Sequence, residues 1–423
     1  MSRRVAITGL GAVTPVGDDV DSTWAALVAG RSGVGPLTTF DAGAYPVRIA
    51  GQVDGFDVRD RLPDARLARH LSRAAGFGVG AALEALAAAG LGPQTYEPWE
   101  RGVALGGSVG RPEPDELAAI AAMRRRSGGR SLVRQPPAQV VRRSQNTATA
   151  TIARLAGCAG PVIGVSTACT ASAHALGEAM RRIQDGEARL MLAGGCDALT
   201  TWLDVLGFSL LGALTTDHAD QPERASRPFD RRRSGFVLGE GAVVVALEEW
   251  ESARARDAPI LAELAGYGST MNAYRMTDAP PDGGGGIGAM AGALAEARLG
   301  PGDVDYVAAH GTSTPGNDIS ETRAIRRVFG DHADALAVSS PKSMTGHMTA
   351  AAGALNVLVA ALAMRDGVVP PTINIDEPDP RLDLDYVPNR CHRRPVRAAL
   401  ANAFAFGGTN GALAVRRPDL VEA

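Results

Sequence analysis

"GVSTACTASAHALGEAMRRIQDGEA" (164–188) and "AVSSPKSMTGHMTAAAGALNVLVAALAMRDGVV" (337–369) are two versions of one pattern, and the architecture of this chain turns on the repetition. Each runs from a short apolar strand through a Val-Ser pair into a small-residue helix that stops at Asp-Gly. A second pair repeats in the same order. "AALEALAAAGLGP" (81–93) precedes "GVALGGS" (102–108), and "GALAEARLGP" (292–301) precedes "VDYVAAHGTS" (304–313). Together they predict an internal duplication. Strand-like runs alternate with helical patterns in both halves, which implies α/β layers. The charged stretch "EEWESARARDAP" (248–259) reads as the junction, giving halves of 1–252 and 253–423. The first half carries two insertions, at 123–146 and 200–236.

The 423 residues suffice for two ordinary domains or one fused double domain. A 45 % apolar and 21 % charged composition is that of a globular protein, and a net charge of −3 gives no reason to expect nucleic acid. No apolar stretch reads as long and unbroken enough to cross a membrane. The opening "ITGLGAVTPVG" (7–17) misses the dinucleotide-loop spacing and reads as a tight strand-to-helix turn. Cys158, Cys169, Cys196 and Cys391 form no CxxC pair, so neither a zinc knuckle nor a disulfide framework is expected, and a reducing cytoplasm fits.

A lone buried cysteine is usually a packing residue. Cys169, however, heads a helix, where the dipole and free N–H groups favour thiolate, and small flanking residues admit a substrate carbonyl. Its own N–H is then available to an oxyanion. If the halves are related by a pseudo-twofold, the heads of the two matching helices face one another and bring Cys169 beside His347. His310 closes a predicted strand. Lys342 is the single lysine among 43 basic residues, so the chain has kept an ammonium at one position only. His70, His174, His218, His332 and His392 have no recurring spacing and read as packing or surface residues.

These motifs ("HGTSTPGND", "SSPKSMTGH", "RPFDRRRSGFVLGEGA" and "AFAFGGTNG") resemble those of the β-ketoacyl-acyl-carrier-protein synthases, the ketosynthases of the thiolase superfamily. The likeness is greatest to the elongating synthase II type and to the catalytic ketosynthase subunits of type II polyketide synthases. It implies a thiolase fold, two joined halves in five αβαβα layers. It also implies an acyltransferase performing a decarboxylative Claisen condensation of an acyl-carrier-protein thioester with malonyl-carrier protein. By the resemblance Cys169 is the nucleophile, and the N–H groups of Cys169 and Phe406 form the oxyanion hole. His310 and His347 stabilise the enolate, with Lys342 and Glu321 as polar support. Thr312, Thr314 and Thr277 would bind substrate along the pantetheine tunnel, Phe406 would gate it, and Val109 and Phe208 would line the acyl pocket.

No metal and no resident cofactor are implied, since the phosphopantetheine arm arrives on the carrier protein. Arg66, Arg69 and Arg73, at helical spacing, would meet that acidic carrier. The family works as a dimer, here a homodimer or a heterodimer with a chain-length factor. The sequence departs from the family pattern at Ala405, where a glycine is usual, which would stiffen the gating loop. Three rivals remain. A silent chain-length-factor-like partner would have lost the nucleophile, a thiolase needs a second cysteine that Cys391 does not supply, and a starter-unit synthase of the Cys-His-Asn kind needs an asparagine at the position of His347, which Asn374 does not replace. The alternative pathway is a housekeeping fatty-acid synthase II, from whose usual "TACATG" or "TACSSG" the stretch "STACTAS" departs.

Overall fold

The computed structural model describes residues 3–108, 113–130 and 136–421. Its main sheet has ten strands: β1 (Val5–Val13), β2 (Arg101–Gly107), β3 (Val162–Val165), β4 (Leu190–Ala198), β5 (Glu240–Glu249), β6 (Ala262–Met271), β7 (Tyr306–Ala308), β8 (Ala337–Ser339), β9 (Ala398–Phe404) and β10 (Thr409–Arg416). Their spatial order is β8-β7-β9-β10-β6-β1-β5-β4-β2-β3. Counted outward from the centre, the first five strands run first-fifth-fourth-second-third, and so do the second five. Directions repeat as well: the first two pairings in each half are antiparallel and the last two parallel. The halves meet at a short antiparallel contact of β1 with β6, Ala6 opposite Glu263 and Ile7 opposite Ala262. The expected duplication is therefore present in the topology.

Six helices complete the layers: α1 (Arg73–Ala88), α2 (Asn146–Ala156), α3 (Ala171–Gln184), α4 (Gly284–Ala297), α5 (Pro315–Phe329) and α6 (Ala352–Asp366). α1 and α2 cover the outer face of the first half, α4 and α5 that of the second, and α3 and α6 touch each other and strands of both halves. This is the thiolase arrangement of five layers, αβαβα. Every residue of α6 from Ala352 to Met364 is buried, as an all-round apolar helix requires. Burying each of Leu355, Leu358 and Leu362 stabilises the fold by about 1.5–3 kcal/mol. One expectation is corrected here. By length and composition Thr349–Asp366 would suffice to cross a bilayer, but 89 % of that window is buried inside the protein, as its central helix.

A second correction concerns the opening glycines. Gly9 and Gly11 lie inside β1, not in a turn, because α1 runs against them: a Cβ would sit 2.2 Å from the Ala85 carbonyl oxygen and 1.8 Å from that of Ala81. The second half repeats the device. Gly266 and Gly268 in β6 would meet the carbonyl oxygens of Ala293 and Ala289 on α4 at 2.1 and 2.0 Å. Only glycine allows this approach. The insertion at 200–236 contributes the helix Trp202–Leu210 and packs Leu214 and Phe236 with Leu37, Val47 and Val205 in a satellite core.

Candidate active site

The two central helices meet at their heads through small residues. The Ala354 N–H donates to Ser172 Oγ at 2.9 Å, and a side chain on Gly353 would strike Ala173. That contact brings the residues ahead of each helix to one place, as the sequence suggested. Cys169 lies in the 3-10 turn Ala168–Thr170 that leads into α3, with Ala168 at φ 51°. The N–H groups of Cys169 and of Phe406 both act on its sulfur, each lowering the thiol, so the two expected oxyanion donors lie at one atom. A hydroxyl pair fastens the Phe406 loop to this turn, Thr170 Oγ1 lying 3.0 Å from Thr409 Oγ1. Ala405 is extended (φ −138°, ψ 157°) and unstrained, while the neighbouring Gly407 and Gly408 take φ 85° and 84°. The freedom of this loop thus lies after Phe406, and alanine at 405 restrains nothing that glycine would have to supply.

Burial pushes the Cys169 thiol up to about 11; Lys342 pulls it back, Asp197 adds to the rise, and the two N–H groups lower it. A helix terminus contributes at most about 2 kcal/mol, about 1.5 pH units. In the resting site burial of the sulfur therefore outweighs the helix end and favours the thiol, against the thiolate preference that the helix end alone would give.

His310 and His347 are buried, their rings 5.4 Å apart between centroids and nearly perpendicular. Burial, and then the Lys342 charge, hold both well below the usual histidine range, so both are neutral. His347 Nδ1 accepts the Thr349 N–H at 3.2 Å, which places the ring proton on Nε2. His310 is fixed through its backbone. Glu321 accepts the N–H groups of His310 and Gly311, each at 2.8 Å, and the Lys342 Nζ donates to the His310 carbonyl at 2.5 Å. Lys342 is 2 % exposed and lowered to about 8 by burial, with Glu321 opposing. A compact ammonium can reach a single carbonyl where a forked guanidinium would need several acceptors.

Cys169, His310, His347, Phe208, Thr277, Thr312, Thr314 and Phe406 line one cavity of about 250 Å³. Lys342 and Glu321 stand behind it. Thr312 and Thr314 are linked through their hydroxyls at 2.8 Å. Phe208 packs edge-on against Phe236, which in turn meets both His347 and Phe406. Val109 lies outside the described residues. Arg66, Arg69 and Arg73 border a separate shallow cleft but do not share a helix face. The chain is extended at Leu71 (φ −96°, ψ 132°), which parts the 3-10 turn Ala65–His70 from α1. Arg66 is exposed and paired with Asp64, Arg69 donates to His70, and Arg73 is committed to buried Glu240. Among the described residues no cluster of histidine, cysteine and acidic side chains could hold a metal ion.

Sequence reasoning missed the residues that support the site from a distance. Asn402 donates to Glu321 at 3.1 Å, and the Asn356 amide spans the carbonyls of Ala308, Ala309 and Asn402. Asp318 receives the N–H groups of Thr312 and Phe229, and buried Asp197 receives Thr349, Ser108 and Ala350. For Asn356, Asn402 and Asp197 a lone polar residue inside an apolar strand or helix was the available signal, since a buried polar group must find partners, whereas Asp318 lies in a polar helix and offered none.

Two family descriptions match the chain: "Beta-ketoacyl synthase, N-terminal domain" over residues 2–253 and "Beta-ketoacyl synthase, C-terminal domain" over residues 261–376. The chain is 43 % identical over 415 residues to 3-oxoacyl-[acyl-carrier-protein] synthase 2 of Coxiella burnetii (strain RSA 493 / Nine Mile phase I), covering 98 % of this chain and 99 % of that one. It is 41 % identical to the protein of that name from Synechocystis sp. (strain ATCC 27184 / PCC 6803 / Kazusa), covering 98 % of each. Among solved structures, a type II polyketide synthase acyl-carrier protein in complex with its ketosynthase, AntDE:AntF, contains a chain with a TM-score of 0.88 and 34 % identity, covering 99 % of this chain and all of that one. The ishigamide ketosynthase/chain length factor gives the same score, identity and coverage.

Proposed function

The chain belongs to the β-ketoacyl synthase family, and from that premise we propose how its residues divide the work of condensation. It is a condensing enzyme of the acyltransferase class, joining an acyl-carrier-protein thioester to malonyl-carrier protein in fatty-acid or type II polyketide chain elongation. The observation that carries the reading is the convergence of the Cys169 and Phe406 N–H groups on one sulfur that shares a cavity with two neutral histidines.

In the first step Cys169 Sγ attacks the acyl thioester. The two N–H groups take the developing oxyanion, and the thiol proton ends on the departing pantetheine sulfur. The pantetheine arm lies along Thr277, Thr312 and Thr314, with Phe406 between it and the acyl chain. In the second step malonyl-carrier protein loses carbon dioxide and its electron pair passes into an enolate. Nε2–H of His347 and the imidazole of His310 hydrogen-bond the enolate oxygen. Neutral rings suit this role, because they donate without trapping the charge as an ion pair. The enolate carbon attacks the acyl-cysteine, the C–S bond breaks to leave the Cys169 thiolate, and that thiolate takes a proton from solvent water as 3-ketoacyl-carrier protein leaves. Glu321 and Lys342 act through the backbone of His310. A silent partner subunit would lack this set of groups.

The carrier protein docks through cations beside the Arg66–Arg69 cleft, where exposed guanidinium groups attract an acidic surface. A second copy, or a homologous chain-length factor, pairs with β3. That strand ends the sheet with alternate residues exposed (Val162 is 53 % exposed) and leads into the Cys169 turn four residues on. The four free cysteines suit a reducing cytoplasm.

The test is intact mass of the protein after incubation with an acyl-carrier-protein thioester. Wild type gains the acyl mass and loses it when malonyl-carrier protein is added, while Cys169→Ala gains none. An adduct on Cys169→Ala, or none on wild type with or without a homologous partner, sinks the reading.

A further inference from the structure

The two central helices begin alike. α3 follows the 3-10 turn Ala168–Thr170 and α6 follows the 3-10 turn Thr349–Ala351. Each turn opens on a non-glycine residue in the left-handed region, Ala168 at φ 51° and Thr349 at φ 44°. For a β-branched threonine that conformation is strained and needs something to hold it. The second residue of the first turn is Cys169, whose N–H serves the sulfur. The second residue of the other turn is Ala350, and its N–H goes instead to Oδ2 of Asp197 at 3.2 Å.

Asp197 comes from the end of β4 and is 3 % exposed. The same Oδ2 accepts the hydroxyls of Thr349 and of Ser108, the latter at 2.8 Å, and Oδ1 takes the Ala198 N–H at 3.2 Å. A carboxylate therefore occupies, in the second half, the anion position that the first half leaves open beside Cys169. In this held turn the Thr349 N–H reaches His347 Nδ1 at 3.2 Å.

We infer that Asp197 is a positioning residue for His347, acting through the Thr349 hydroxyl: it holds the strained turn whose N–H keeps the ring proton on Nε2. Without the tether Thr349 relaxes toward negative φ, Nδ1 loses its donor, and the ring is free to carry its proton on either nitrogen. The inference rests on the reading of His347 as a donor to the enolate.

Two rates separate the possibilities: acyl transfer to Cys169, and carbon dioxide release from malonyl-carrier protein by the acylated enzyme. Thr349→Val should acylate within about twofold of wild type but release carbon dioxide about 10- to 100-fold more slowly, since a misplaced group costs that much. The loss should lie in kcat with the malonyl-carrier KM unchanged. Thr349→Ser, which keeps the hydroxyl, should recover most of the rate. Asp197→Ala should show the same loss of carbon dioxide release, and combining it with Thr349→Val should add little to that loss. Wild-type carbon dioxide release by Thr349→Val beside a dead His347→Ala overturns this inference alone. So does an equal loss of both rates that Thr349→Ser does not rescue. Wild-type release by His347→Ala would instead bring down the reading of His347 itself.

Discussion

The Cys169 turn and the His347 turn share a backbone and differ in what fills it. In the first, the N–H after a left-handed alanine meets a sulfur at the wall of an open cavity; in the second, the matching N–H is closed by the Asp197 carboxylate. Duplication supplied two helix heads facing each other, each with a ring of backbone donors. On the proposed mechanism one receives a transient oxyanion. The other, on the inference above, mounts an imidazole, and the Asp197 carboxyl satisfies donors that would otherwise be buried unpaired.

The comparison can be broken at its scaffold. If both halves depend on the same close approach of helix to first strand, Gly11→Ala and Gly268→Ala should each destabilise the protein by about 3 kcal/mol, by overpacking against a carbonyl that has no room to yield. Denaturant midpoints read this directly. A large loss at one position and none at the other would mean that the halves do not share their packing. A finer effect lies in the charges around the sulfur. The thiolate is the reactive form, so a thiol raised to about 11 alkylates more slowly at pH 8 than an ordinary cysteine, and its rate is still climbing above pH 9. Lys342 lowers that value and Asp197 raises it. Iodoacetamide labelling of Cys169 at pH 8 should therefore slow several-fold in Lys342→Met and quicken several-fold in Asp197→Asn. Labelling rates unchanged from wild type in both variants would remove both groups from the electrostatics of the site.

What could be read from the sequence was whatever repeats or stands alone. Two strand-helix patterns in the same order announced the duplication, and a single lysine announced Lys342. The facing helix heads followed from symmetry, so the meeting of Cys169 with His347 was legible before any coordinate. The function of Gly9 and Gly11 was not, because a mid-strand glycine and a turn glycine look alike until the partner helix is placed. Arg73 looked like one of a row of surface cations because the break at Leu71 and the buried Glu240 lie beyond local pattern. Asp197 and Thr349 are 152 positions apart, and nothing in either neighbourhood names the other. The upward push on the Cys169 thiol escaped for a related reason: a helix terminus is visible in sequence, while the desolvation of the sulfur that opposes it is not.

The division of labour between the two turns is tested most directly by His347→Ala in a single-turnover experiment followed by intact mass. The account predicts that the variant takes up the acyl group at the wild-type rate and keeps it after malonyl-carrier protein is added, because only the second turn has been disabled. An adduct that clears as fast as in wild type, or one that never forms, would contradict it.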